Sequence, residues 1–122
     1  MSDLRLRKRF RLRKKREIKR CQNGGVRLYS KHFAVFACPS SSEDSRLAIA
    51  VTKKIEKRAV VRNKIKRRIR EVFRLHREAF REPTDIVVVA RRGIQSCCYK
   101  DYEREILGAL RAKGLFAGNS KD

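Results

Sequence analysis

Leu47-Ala48-Ile49-Ala50-Val51-Thr52 runs straight into KKIEKRAVVRNKIKRRIR, Lys53 to Arg70, and this stretch decides the fold. The first five residues are apolar and short enough for a strand. The eighteen that follow hold ten Lys or Arg against one acid, Glu56, yet keep an apolar residue every third or fourth step. At about 100° per residue, Val61, Ile65, Ile69, Val72, Phe73 and His76 gather on one helical face. Arg62, Asn63, Lys66, Arg67, Arg70 and Arg74 lie beside it, so one helix carries both an anchor face and a cationic face.

Outward from this helix, the pattern predicts a helix from about Ala59 to Phe80, stopped by Glu82-Pro83-Thr84. Asp85-Ile86-Val87-Val88-Val89-Ala90 is a continuous β-branched run, the signature of a strand covered on both faces. Tyr99, Tyr102, Ile106, Ala109 and Leu110 then recur at helical spacing, with Gly114 as a stop. Upstream, Leu28 to Cys38 (LYSKHFAVFAC) reads as extended, and the polar turn Pro39 to Ser45 joins it to Leu47–Val51 as a hairpin. Leu12 to Cys21 predicts a short helix ended by Asn23-Gly24-Gly25. The expected order is αββαβα, a single compact α/β domain (an α+β sandwich) around a central four-stranded sheet. Residues 1–10 are expected to be a flexible basic arm, 11–116 the domain, and 117–122 a frayed tail.

The 122 residues carry a formal charge of +21, concentrated in two blocks. Arg5 to Arg20 holds eleven bases against Glu17, and Lys53 to Arg70 is the second block, while the rest of the chain is close to neutral. Such concentration is best explained by a polyanionic partner, nucleic acid first. Each phosphate neutralised would add about 0.7 to 0.9 to the salt slope of binding. A membrane surface fits poorly, because basic residues interrupt the apolar stripe and the chain has no Trp. No stretch approaches the ~20 apolar residues of a membrane span, and Arg5–Arg20 lacks a signal-peptide core, so a cytoplasmic location is expected.

Cys21, Cys38, Cys97 and Cys98 show no CxxC spacing and are expected as free thiols; His32 and His76 complete no zinc pattern with them. The chain offers no HExxH, Walker loop or nucleophile elbow, and no carboxylate pair in an apolar context. His76 on the apolar face is expected to pack, Glu71 and Glu78 to pair with arginines, and Asp85 to cap or turn. No catalytic residue is assigned. The residues alone leave open a ribosomal protein or RNA-assembly factor; a protein-only nuclease lacks its acidic metal site, and a DNA-binding helix lacks a zipper or helix-turn-helix partner.

The run Ala59 to Glu71, with Arg62-Asn63-Lys64 at its centre, closely resembles the "RNR" signature of the bacterial ribonuclease P protein subunit. The resemblance extends upstream through Leu47–Val51 and the Lys53-Lys54 pair, and downstream through Phe73-Arg74 and Asp85 to Gly93. Arg11-Leu12-Arg13-Lys14 fits more loosely, and the whole covers about Arg11 to Leu110. It implies a left-handed βαβ crossover, against the usual right-handed rule. It implies a ribonucleoprotein that removes the 5′ leader of precursor tRNA, with chemistry done by a catalytic RNA. The Mg²⁺ would be held mainly by that RNA and the substrate, none by the protein alone, which is expected to be monomeric.

Carried over by position, Arg62, Asn63, Lys64, Lys66, Arg67 and Arg70 are implied to face the RNA subunit through phosphate and 2′-hydroxyl contacts. Lys64 stands where the motif usually has Arg, keeping charge and losing the fork. Phe36 takes an aromatic position of the leader cleft, where stacking on a base and ordinary core packing both remain open. Lys53, Lys54 and Arg91 are placed to flank leader phosphates. Many members carry two phenylalanines on the first helix; the matching positions here are Ile18 and Gln22. Leader binding is therefore expected to lean more on charge than on stacking.

Overall fold

The computed structural model describes residues 7–116. Three helices, α1 (Lys15–Gly24), α2 (Ala59–His76) and α3 (Tyr99–Ala112), surround four strands, β1 (Val26–Tyr29), β2 (Phe33–Pro39), β3 (Arg46–Ala50) and β4 (Thr84–Ala90). The sheet order is β1-β2-β4-β3. β4 pairs antiparallel with β2 and parallel with β3. Its unbroken apolar run explains the interior position, because both of its faces are covered and all of it but Val89 is buried.

The observed order is αβββαβα rather than αββαβα. The extended stretch expected over Leu28–Cys38 breaks at Ser30–His32, where the Ser30 amide donates to the Phe33 carbonyl at 2.8 Å and closes a turn. The hairpin is therefore β1 with β2, and β3 is separated from β2 by β4. Gly25 makes the entry to β1 possible: a Cβ there would stand 2.3 Å from the Ala37 carbonyl oxygen.

Alternation along the strands sorts the sheet into two faces. Leu28, Phe33, Val35, Ala37, Leu47, Ile86, Val88 and Ala90 form the buried face, packed under Ile65, Ile69, Val72 and Phe73 of α2 and Tyr102, Ile106, Leu107 and Leu110 of α3. The opposite face carries Phe36, Cys38, Ala48, Val87 and Val89, which gather with Leu12 and with Ile18 and Cys21 of α1. α1 covers only one end of it.

Several boundaries move for physical reasons. The first helix starts at Lys15, not Leu12, because Leu12 is buried and its amide donates to the Leu47 carbonyl at 2.9 Å, strapping the chain along the edge of β3. The long helix ends at His76 and continues as a 3₁₀ turn, Arg77–Ala79. The domain begins before residue 11: Lys8–Phe10 forms a 3₁₀ turn, and Phe10 is buried beneath the Arg77 guanidinium, 3.9 Å from its ring centre. The rest of the expected arm, residues 1–6, and the expected tail, 117–122, lie outside the described residues.

Asp85 does not cap a turn. Its carboxylate is fully buried and accepts two bonds from Arg46, Nε at 2.9 Å and Nη2 at 2.8 Å, with Arg20 of α1 at 3.6 Å. Arg46 also reaches Glu17 of α1 at 3.4 Å. This network pins α1 to the sheet. The four cysteines are free thiols, and burial first, then the neighbouring Cys38, pushes Cys21 up to about 12.

Candidate nucleic-acid interface

At the β3 side of the sheet the strap, α1 and α2 line a cleft of about 510 Å³. Ile18 of α1 and Ala48 and Ile49 of β3 supply apolar wall, and Arg11, Lys66 and Arg70 supply charge; among the described residues no carboxylate lines it. Burial, and then the adjacent Arg11 guanidinium, holds Arg70 below the ordinary arginine value. Two guanidiniums thus crowd one concave site with no counterion among the described residues, the arrangement an anion relieves.

Helical geometry divides the other cations of α2. Arg62, Lys66 and Arg70 form one i, i+4 row along the cleft side, and Asn63 and Arg67 form the next row, exposed to solvent. Lys64 lies on the opposite flank beside Arg68, away from the cleft. Arg62 is already engaged: its Nη1 donates to the carbonyls of Glu56 at 3.1 Å and Lys57 at 2.8 Å, bracing the segment that leads into α2. Glu56 itself accepts from Arg58 and Gln95, and these bonds, led by the Arg58 side chain, hold its carboxyl down at about 2.

The cleft opens onto the α1-side face of the sheet, where residues line up in register rows. Arg46, Asp85 and Cys38 form the row under α1; Ala48, Val87, Phe36 and Arg27 form the middle row; Ala50, Val89, Ala34 and Tyr29 form the open row. Phe36 is half-buried, its ring 6.5 Å from that of Tyr29 and nearly perpendicular to it. Ile18 packs in the same cluster as Phe36, and Gln22 follows one turn later on α1. Lys53 and Lys54 are exposed in the turn after β3, and Arg91 follows β4, so all three stand beyond the open row. Arg91 donates from Nη1 to the Ser30 carbonyl at 2.8 Å and lies 5.6 Å over the Tyr29 ring.

The αβββαβα chain has known counterparts. Residues 6–113 match the family described as Ribonuclease P. The chain belongs to the ribonuclease P family. The ribonuclease P protein component of Syntrophus aciditrophicus is 42% identical over 93% of this chain and 93% of its own length. That of Desulfovibrio desulfuricans is 39% identical over 84% of this chain and 81% of its own. Among solved structures, the Staphylococcus aureus RNase P protein superposes with a TM-score of 0.79 at 30% identity, covering 88% of this chain and 97% of that one. The Thermotoga maritima RNase P protein gives 0.74 at 29% identity, covering 84% and 96%.

Within the ribonuclease P domain, the twelve residues singled out from sequence do not form one site. Lys66 and Arg70 join Ile18 at the cleft; Phe36 lies in the middle row of the sheet face; Gln22 stays on α1, one turn beyond Ile18; Lys53, Lys54 and Arg91 border the face's open end. Arg62 braces backbone, and Asn63, Lys64 and Arg67 face outward. Sequence reasoning missed Arg11 as a cleft cation and Tyr29 as a surface aromatic. Tyr29 could have been found from the outward alternation Arg27, Tyr29, once β1 was separated from β2.

A second cluster also escaped the sequence: His32, Cys97 and Glu105 bring donor atoms within 4.8 Å of one another. Glu105 is occupied there, accepting from the Ser30 hydroxyl, the His32 amide and His32 Nδ1 at 2.8, 2.8 and 2.7 Å. Burial would raise its pKa, and these bonds outweigh that and lower it. The cluster ties the β1–β2 turn to α3.

Proposed function

We propose that this chain is the protein component of a ribonuclease P ribonucleoprotein, holding a catalytic RNA with α2 and the 5′ leader of precursor tRNA with the open sheet face. The observation that carries the reading is the cationic cleft of Arg11, Lys66 and Arg70, lined by no carboxylate among the described residues and sharing Ile18 and Ala48 with that face. Guanidinium and ammonium groups there neutralise phosphates, with the fork of Arg70 suited to bidentate contact. Asn63, Lys64 and Arg67 present donors outward from the same helix to the RNA subunit, and Arg62 supports them by fixing the approach to α2. Ile18, Phe36 and Gln22 line the leader's path, and Lys53, Lys54 and Arg91 flank its phosphates.

The donor set of the cleft does not suit Mg²⁺, which takes oxygen ligands and is repelled by ammonium and guanidinium groups. The Mg²⁺ of the reaction is assigned to the RNA and substrate, and the protein's contribution is to lower the phosphate repulsion that opposes their assembly. This work is placed in the cytoplasm, where precursor tRNA is made and processed.

The test is reconstitution with a bacterial ribonuclease P RNA and an assay of precursor tRNA cleavage at low Mg²⁺. Stimulation by the protein is expected, with no cleavage by protein alone. No stimulation would refute the reading.

A further inference from the structure

Resting on the leader-binding reading above, we infer that Tyr29 is a second stacking station for the unpaired leader, at the far edge of the sheet face from the cleft. Tyr29 is 61% exposed on a four-residue strand whose Leu28 points the other way into the core, so its ring is not needed to fill the interior. It is nonetheless held in place. Its ring and that of Phe36 meet in a T-shaped pair at 80°, as expected of a diagonal cross-strand pair, and Arg91, itself tied to the Ser30 carbonyl, lies over the Tyr29 ring.

The rest of its row forms a low floor. Ala34, directly opposite Tyr29 and itself buried, and Ala50 at the other edge have methyl side chains only, and Val89 between them is partly exposed. Tyr29 and Phe36 therefore rise as a wall at one side of a shallow, apolar trough. Cations stand around it: Arg27 beside Phe36 in the middle row, Arg91 above Tyr29, and Lys53 and Lys54 beyond the end of β3.

Aromatic faces rimmed by Lys and Arg, with no hydrogen-bonding code on the floor, are what an unpaired RNA strand uses irrespective of sequence. A base lies against the exposed Tyr29 ring, and Arg91 and Arg27 neutralise the phosphates on either side. The arrangement also answers the loss of rings from the first helix. With Ile18 and Gln22 on α1, the aromatic surface stands on β1 and β2 instead.

The experiment uses the reconstituted holoenzyme and reads one ratio: affinity for precursor tRNA with a long unstructured leader over affinity with a minimal leader. Tyr29→Ala is expected to lower that ratio about tenfold, as for one lost base–aromatic stack, while Tyr29→Phe keeps it. Phe36→Ala, run in parallel, tests the leader groove itself. A ratio unchanged in Tyr29→Ala but lowered in Phe36→Ala overturns the Tyr29 station and leaves the groove standing; unchanged ratios in both overturn the two together. Equal loss in Tyr29→Ala and Tyr29→Phe assigns the effect to the hydroxyl and overturns stacking. Because the chain has no Trp, Tyr29→Trp installs a sole indole. Its emission is expected to change with the long leader only; the same change with the minimal leader overturns the inference.

Discussion

Replacing Arg70 by Met removes one charge from the cleft while keeping an apolar stem in the cleft wall, so it isolates the electrostatic contribution. If α2 and the cleft make about six phosphate contacts, affinity for the RNA falls about 300- to 2,000-fold between about 50 and about 200 mM salt. Each contact supplies about 2.6- to 3.5-fold of that change, so Arg70→Met lowers the slope by about 0.7 to 0.9. Arg62→Met is expected to behave differently. Its guanidinium is spent on the Glu56 and Lys57 carbonyls, so its loss weakens binding at every salt concentration with little change in slope. Arg81, exposed and bonded to the Gly114 carbonyl far from the cleft, is the control. Fluorescence anisotropy of labelled ribonuclease P RNA at five salt concentrations measures all three. An unchanged slope in Arg70→Met, or an equal change in Arg81→Met, would refute the assignment of a defined phosphate site in favour of diffuse charge.

Asp85→Ala strands the Arg46 guanidinium, whose side chain is only 14% exposed, and is expected to cost about 3–5 kcal/mol in urea unfolding. Changing both partners together, Arg46→Met with Asp85→Leu, should recover most of this; a double variant no better than Asp85→Ala would contradict it. Glu56 has its folded-state pKa depressed from 4.5 to about 2, so its contribution to stability is complete above the ordinary value and is lost as pH falls through that interval. Thermal melts should show this acid loss, and Glu56→Gln should flatten it. Gly25→Ala forces the backbone apart where a Cβ meets Ala37 and Cys21 carbonyl oxygens at 2.3 and 2.7 Å, and is expected to destabilise by about 1–3 kcal/mol. Gly24→Ala, with nothing within 4 Å, should cost less, and equal melting temperatures for the two would sink the steric account.

Local chemistry made β4, α2 and α3 readable, because each repeats its burial pattern over several consecutive turns or residues. The resemblance around Arg62-Asn63-Lys64 placed the chain in its family for the same reason: the signature is contiguous. The break between β1 and β2 was hidden because nothing at Ser30-Lys31-His32 is a strong turn former. It is secured by Glu105, which takes the Ser30 hydroxyl and the His32 amide from 75 and 73 residues away. The same nonlocality hid the strand order, the Leu12 strap, and Arg11 as a neighbour of Arg70. Charge density located the cationic helix correctly but could not distinguish an arginine that faces a cleft from one, such as Arg62, that is consumed by backbone carbonyls.

The strap at Leu12 also bears on solubility. β3 is the last strand on its side of the sheet, and an uncovered edge invites pairing with another chain. The bridge between Arg11 and Leu47 occupies that edge with the protein's own backbone, and the buried Phe10 anchors the strap from behind. The cleft wall and the guard against edge-to-edge aggregation are therefore one piece of chain. A variant lacking residues through Leu12 would lose the cleft cation Arg11 and expose a sticky strand in the same step.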